Sequence, residues 1–564
     1  MKQFIFSTVP GAILLLAALI TFSPTPVQAA SAQFPNFVSG IVASEYGRIE
    51  GAKVRLPGHS EYTLTDKNGQ YQLILPEGFV PSPTDPLIVT AGKDGWFNNG
   101  VQFWPGSENA NISLYPIPTQ DDPNYRFIPP TICSQCHNKL SKYWDKSKMA
   151  HTTSNVKVIN MYNGTDASGR KLVGPGFKID NPKVQGNCIV CHAPSAAVAQ
   201  NGPKNIEDAL WSQKVEWDGI SCDFCHKIRF VVKSSDTPSL YKAVMKRQAP
   251  QQGNSILVFG PYDDVVNSVM SASYAPGQEQ GVFCALCHSQ VEERKDNKNW
   301  DRKKVYTDKE WQTFDLGNDT TIPVQTTYQE WRDWQQGLPD GDKNKGKTCQ
   351  GCHMSWSKEM LPYDNYLVDG NARKDFGIKR DPKDIHPHRF DGTSEQQLKS
   401  ALSMEMDGKV KGDVLEVSVF ISNSNGGHWV PTGDPMRQVL LLVSATDSKG
   451  NKLEQVDGDK LPDWAGAGKE AEGNYAGLPG TIFSKVLEDA KGNLNVPFWQ
   501  ATAVAKDTRI RPKTTLTLKF KFKLKNPKDE PSAAANLIYR PFPRDLVRIK
   551  KWNSKDTQIA SSAW

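Results

Sequence analysis

The chain has 564 residues, 38% hydrophobic and 23% charged, with a mean hydropathy of -0.53. These values exclude a polytopic membrane protein and a long disordered chain, and at roughly 150 residues per domain the length predicts three or four domains. Lys and Arg number 67 against 61 Asp and Glu, and a net charge of +6 over this length is too dilute for a nucleic-acid-binding face.

Lys2 opens a short basic stretch, Phe4 to Phe22 is an apolar run, and Val27-Gln28-Ala29 has the form of a cleavage site. Residues 1–29 therefore read as a secretory signal peptide. No cysteine follows the apolar run, which argues against a lipid anchor. No later run approaches the roughly 18 apolar residues that span a bilayer. The expectation is an exported protein, periplasmic or at the cell surface, with no integral membrane segment after cleavage.

Residues 36–118 alternate strand-like stretches (Phe37 to Ala43, Ala52 to Leu56, Tyr71 to Leu75, Leu87 to Ala91) with Gly, Asn and Asp turns, the pattern of a small β-sandwich. Gly40-Ile41-Val42 and Thr65-Asp66-Lys67-Asn68-Gly69-Gln70-Tyr71 resemble the carboxypeptidase regulatory-like fold, a module commonly appended to secreted proteins. It implies no peptidase, and no H-E-x-x-H sequence occurs in the chain.

Residues 119–395 hold all ten cysteines, in five C-x-x-C-H sequences. They are Cys133, Cys136 and His137; Cys188, Cys191 and His192; Cys222, Cys225 and His226; Cys284, Cys287 and His288; and Cys349, Cys352 and His353. This is the c-type haem attachment signature. Two thiols on one turn each reach a haem vinyl group, and the next residue sets an imidazole beneath the iron as proximal ligand. Zinc would gather thiolates in fours without a His after every pair, and export would otherwise favour disulfides. The reading is five covalently bound haems. Aliphatic residues are too few here for an ordinary core, so the haems are expected to form it.

Five histidines remain as candidate distal ligands. His151 lies about fifteen residues past the first attachment sequence; Met149, whose thioether also binds haem iron, is its competitor. In His386-Pro387-His388 the proline enforces an extended backbone, which sends both imidazoles to one side. His388 is the better placed, and His386 is either a second ligand or a surface residue. His428 sits in Gly426-Gly427-His428-Trp429-Val430-Pro431-Thr432-Gly433, a tight loop suited to projecting one imidazole inward. His59, in a turn far along the chain, reads as a solvated loop residue, so one iron is expected to lack a histidine from this chain.

From 400 to 545 the β pattern returns. Leu415, Val417, Val419 and Ile421 alternate with polar residues, and Leu516, Leu518, Phe520 and Phe522 alternate with Thr517, Lys519, Lys521 and Lys523. Residues 546–564 read as a tail. The fold class expected is multidomain: a haem-packed, mostly irregular and helical pentahaem core flanked by an N-terminal and a C-terminal β-sandwich.

Several segments together resemble multihaem c-type cytochromes of the cytochrome c-552/4-like kind, related to hydroxylamine oxidoreductases, pentahaem nitrite reductases and their tetrahaem partners. They are Gly186 to Pro194, Gly219 to Lys227, Phe259 to Asp264, Tyr328 to Trp331, Cys349 to Met354, Gly427 to Gly433 and Asp507 to Pro512. The departures are that no C-x-x-C-K occurs, that five attachment sequences stand against the eight haems of hydroxylamine oxidoreductases, and that Met270 to Tyr274 stands where relatives can present a histidine. The leading expectation is electron transfer between redox partners, cytochromes or quinol-linked donors, with no nucleic acid. The alternatives are an oxidoreductase with one open iron acting on a small nitrogen or sulfur oxyanion, with Arg389 or Arg437 positioning it, and a homo-oligomeric or polymeric conduit in which a neighbour supplies a ligand, His59 among them.

Overall fold

In the N-terminal region, Val38, Gly40 and Val42 turn inward along the strand Phe37–Ser44, and Tyr71 and Leu73 do so along Gln70–Ile74. The two strands pair antiparallel, Val38 opposite Leu73 and Gly40 opposite Tyr71. Gly40 is required there: a Cβ would collide with the Ala110 carbonyl, which also accepts the Tyr71 hydroxyl at 2.5 Å. Ile112–Ser113 joins this sheet in parallel. A second sheet, Thr63–Leu64, Lys53–Arg55, Leu87–Gly92 and Asn99–Phe103, shares one cluster of buried side chains with it, from Val38 to Leu114. This computed structural model describes residues 36–564 except 80, 81, 83, 235–238, 249–255, 268–269, 294–320, 356–379 and 381–383. The expected signal peptide lies outside the described residues.

The N-terminal sheets do not end at a free linker. Trp96–Phe97 pairs with Tyr115–Pro116 and with Met270–Tyr274, which in turn runs parallel to Ile256–Gly260. Polar contacts fix the same junction: Arg55 donates to Asp263 at 2.7 Å, and Asn98 to the Tyr262 carbonyl at 2.9 Å.

Among the described residues between Pro130 and His353 the backbone is mostly short helices and irregular segments. Two ribbons, Ile228–Lys233 with Tyr241–Met245 and Gln290–Glu293 with Thr321–Gln325, leave directly from the third and fourth attachment sequences. They are too short to stand out in a sequence rich in Gly, Pro and Lys.

The C-terminal region stacks two four-stranded sheets. One runs Ser403–Lys411, Val414–Ser422, Thr515–Lys523, Glu454–Asp457; the other runs Gly480–Phe483, Gln438–Thr446, Ser532–Arg540, Thr557–Ala563. Val417, Val419, Leu441, Phe520 and Leu537 meet between them, while Lys519 and Lys523 face outward. The expectation of a tail after 545 is corrected here. Arg544–Ile549 is a helix and Thr557–Ala563 is an edge strand paired with Ser532–Arg540. That strand buries only Ile559 along its middle, so it carried no alternating signal. Lys550 beside it is fully buried and donates to the carbonyls of Val173 (2.6 Å) and Pro175 (2.7 Å). Among the described residues no helix is long and apolar enough to cross a membrane.

Candidate cofactor sites

Four of the five attachment sequences carry their second cysteine on a short helix started by its neighbours. Ser221 caps Cys222–Cys225, its hydroxyl accepting from Phe224 N at 3.3 Å, and Thr348 caps Cys349–His353, accepting from Gly351 N at 3.2 Å. Cys352, on that last helix, is the exposed member of the ten. Two more lie on Cys188–His192 and Ala285–His288.

The first sequence differs in its local backbone. Pro130 opens the helix Pro130–Cys133 from its first turn, where the missing N–H costs nothing, but that helix stops at Cys133. Cys136 is half-buried in the turn that follows, outside any helix, and its N–H donates to the Cys133 carbonyl at 3.2 Å. The physical reason lies on either side of it. The Ser134 hydroxyl donates back to the Thr131 carbonyl at 2.8 Å, and His137 leaves helical geometry (φ -98°, ψ 48°) ahead of a second helix, Asn138–Asp145. Unlike Cys133, Cys136 does not enter the thiol contacts between sequences described below. In the first, third and fourth sequences the histidine N–H donates to the first cysteine's carbonyl, at 2.9 Å for His137 and 3.0 Å for His226 and His288. The loop around Cys136 therefore closes as the helical ones do, which keeps both thiols of the pair on one turn.

All ten thiols are free, and among the described residues no three His, Cys, Asp or Glu side chains form a metal-binding group.

Two candidate distal histidines stand against proximal ones. The rings of His226 and His388 lie 6.2 Å apart with 27° between their planes, and those of His353 and His428 lie 6.2 Å apart with 9° between theirs. Two metal–imidazole bonds of about 2 Å each account for much of that separation, and the two ring radii fill the rest. All four rings present Nδ1 to a backbone carbonyl: His226 to Phe259 (2.6 Å), His388 to His386 (2.9 Å), His428 to Trp429 (3.0 Å) and His353 to Asp391. Nδ1–H must donate in each case, which leaves Nε2 as the lone-pair donor. This is how metal-binding imidazoles are oriented by their second partners. Burial lowers His388 to about 3 and pulls His226 and His428 below the usual histidine value. Rings anchored through Nδ1 with a gap of this width fit an iron held between two imidazoles.

The attachment sequences touch one another. The thiols of Cys133 and Cys222 lie close enough to shift one another's titration, as do those of Cys191 with Cys287 and of Cys284 with Cys349. The first is therefore against the third, the second against the fourth, and the fourth also against the fifth. Asp223, inside the third sequence, fixes one of these contacts. Its carboxylate accepts the Tyr125 hydroxyl and Ile128 N, both at 2.8 Å, just ahead of the first sequence. It also pairs at 2.7 Å with the fully buried Lys227.

The other candidates are placed differently. His151 is exposed and its Nε2 meets the Asp145 carbonyl at 2.6 Å. Its neighbour Thr152 donates to the His192 carbonyl at 2.5 Å, so the segment lies beside the second sequence. Met149 is half-buried and its carbonyl accepts Ile220 N at 2.8 Å. His386 turns Nε2 toward Glu279 at 3.7 Å. His59 packs edge-on against Phe79 at 5.5 Å in the N-terminal region. Arg389 pairs with Asp391 at 3.0 Å, and Arg437 donates to the Thr432 carbonyl at 3.0 Å. Met270–Tyr274 is the strand joined to the N-terminal sheets. His192 and His288 are half-buried, desolvation lowers both to about 4, and His288 Nδ1 meets the Gln325 amide at 2.7 Å.

Sequence reasoning gave no role to Glu330, Lys485 or Arg509, which surround the His428 loop. Arg509 and Glu330 pair at 2.5 Å, each side chain only 5% exposed. Lys485 donates to the Pro323 carbonyl (2.9 Å) and to Thr326 (3.1 Å). The available signal was a lone lysine in the apolar run Thr481 to Leu487.

Residues 132–227, with the first three attachment sequences, match the family model for cytochrome c554 and c-prime. No curated protein matches the chain. Among solved structures, a penta-heme cytochrome c552 from Thermochromatium tepidum is 17% identical over 78% of this chain and 98% of its own, with a TM-score of 0.48. A type II cohesin–X-dockerin complex from Acetivibrio cellulolyticus is 14% identical over 14% of this chain and 58% of its own, with a TM-score of 0.12. Over the stretch the family model covers, the chain is similar to multihaem c-type cytochromes, and the same attachment sequence recurs twice beyond it, at Cys284 and Cys349.

Proposed function

We propose that this chain is an exported pentahaem c-type cytochrome that carries electrons between redox proteins, with cytochromes or quinol-linked donors as partners. The observation that carries the reading is the facing of His226 by His388 and of His353 by His428, each ring anchored through Nδ1. Bound covalently at the C-x-x-C-H sequences, haem supplies one-electron chemistry at iron. The chain's part is to hold two imidazoles to an iron, which leaves no position for a substrate, and to keep the sites contiguous. Contacts of the first sequence with the third, and of the fourth with the second and fifth, serve that contiguity. We read the N-terminal sheets as an appended carboxypeptidase regulatory-like sandwich and the C-terminal sheets as the sandwich that delivers His428.

A second reading has its own observation: among the described residues no other imidazole ring is set against His192 or His288. An iron open on that side would act on a small nitrogen or sulfur oxyanion. Reductive titration of the oxidised protein separates the two. An electron carrier takes up one electron per haem and its spectrum is unmoved by nitrite or sulfite; a ligand-shifted high-spin signal favours the oxidoreductase.

A further inference from the structure

The loop that carries His428 is held from outside itself: Asn423 donates to the His428 carbonyl at 3.0 Å, Val430 and Ile510 exchange backbone bonds at 2.9 Å, and one carboxylate meets the loop at two further points. Glu330 lies on the helix Thr327–Gln336, more than ninety residues earlier in the chain. Its Oε2 accepts Trp429 N at 3.2 Å and the Thr432 hydroxyl at 2.8 Å, so it grips the loop on both sides of the cis Val430–Pro431 bond. Its Oε1 accepts the Thr326 hydroxyl at 2.6 Å and Arg509 Nη1 at 2.5 Å. Against the upward push of burial, chiefly the Arg509 cation holds this carboxyl below its usual range, so it stays an anion able to accept all four bonds. The Arg509 guanidinium also lies over the Trp429 ring at 4.8 Å. Gly427 brings the loop against Trp334, where a Cβ would not fit.

We propose that Glu330 is the positioning residue for His428: by fixing Trp429 N and Thr432 it holds the imidazole opposite His353, and so keeps that iron six-coordinate. This rests on the reading of His428 as an axial ligand. Glu330 makes no hydrogen bond to the His428 ring; it acts through the Trp429 N–H and the Thr432 hydroxyl on either side. An indirect partner of this kind changes metal affinity without being a ligand.

The test uses the full-length haem-loaded protein and electron paramagnetic resonance of its oxidised form. Glu330→Gln keeps the size but turns an acceptor into a donor facing Trp429 N. Because a lone change would take from the buried Arg509 one of its two carboxylate partners, leaving only Asp507 at 2.8 Å, the double variant Glu330→Met/Arg509→Met is made beside it. We expect both to convert one low-spin iron to high spin, fully in the double variant and in part in the single one, with the haem count unchanged. Added imidazole should restore the low-spin signal. His428→Ala separates the layers of the claim. If it converts one iron and the double variant converts none, the role of Glu330 is overturned while His428 remains a ligand. If His428→Ala itself changes nothing, the ligand reading falls and this inference with it.

Discussion

The C-terminal sheets bury 22 side chains in a single apolar cluster reaching from Leu398 to Ile559, whereas the described residues around the attachment sequences form clusters of only three to five. In the first region strand alternation supplies the interior. In the second, the side chains gathered at the centre are thiols and imidazoles, bridged by buried polar contacts such as Asp223–Lys227. On the reading proposed above, the two regions specify an interior in two ways: by apolar periodicity, or by placing attachment points for a large apolar group that the chain does not itself encode. Folding of the second kind is tied to binding of that group.

The sharpest way to break this comparison is to make the whole chain without haem, by changing all ten cysteines to alanine. Residues 119–395 should then become protease-sensitive throughout while the C-terminal sheets persist as a resistant fragment. Uniform resistance would show that side chains alone suffice. Next in size is Asp223→Ala. It leaves Lys227 buried without a counter-charge and should cost about 3–5 kcal/mol, read as a lower denaturation midpoint for the haem absorbance. Leu441→Ala removes a fully buried side chain from the C-terminal cluster and should cost about 2–5 kcal/mol. In this case the loss should appear in far-ultraviolet circular dichroism, with the low-spin signal of the His226/His388 iron unchanged.

Lys485 sharpens the comparison through pH. Burial, aided by Arg509, brings its ammonium down to about 7 from an ordinary 10.5. Between those values the unfolded chain binds the extra proton, so this lysine weakens the fold progressively as pH falls through 10.5 toward 7, and below about 7 its penalty is complete. Lys485→Met should therefore flatten the rise of stability with pH from about 7 to 10. An unchanged slope would mean the lysine is not held neutral. The smallest effect belongs to Lys519→Ser on the solvent face of Thr515–Lys523, where a change within about 0.5 kcal/mol is expected in chemical denaturation.

Legibility in the sequence divides along the same line. The alternation of Leu415, Val417, Val419 and Ile421 and the five C-x-x-C-H sequences are local patterns, and each indicated its element directly. The glycine-bounded loop marked His428 for the same reason. The spacing of Cys133 and Cys136 matches that of the other pairs, so nothing local marked the end of the helix between them. Which proximal histidine faces which distal one was not legible either. His388 reaches back past two attachment sequences to His226, and such a pairing is set by tertiary placement. The contacts of Cys133 with Cys222 and of Cys284 with Cys349, and the grip of Glu330 on the His428 loop, are long-range for the same reason. The final strand was missed because Thr557–Ala563 is small and polar, and its place comes from the open edge of Ser532–Arg540.

The central claim is that the ten cysteines are attachment points for haem and that the resulting plates form the interior of the central region. Pyridine haemochrome absorbance against protein concentration, on protein made in a host competent for c-type maturation, tests it most directly. Five haems per chain is the predicted result. Folded, colourless protein, with its cysteines joined to each other or to zinc, would contradict it.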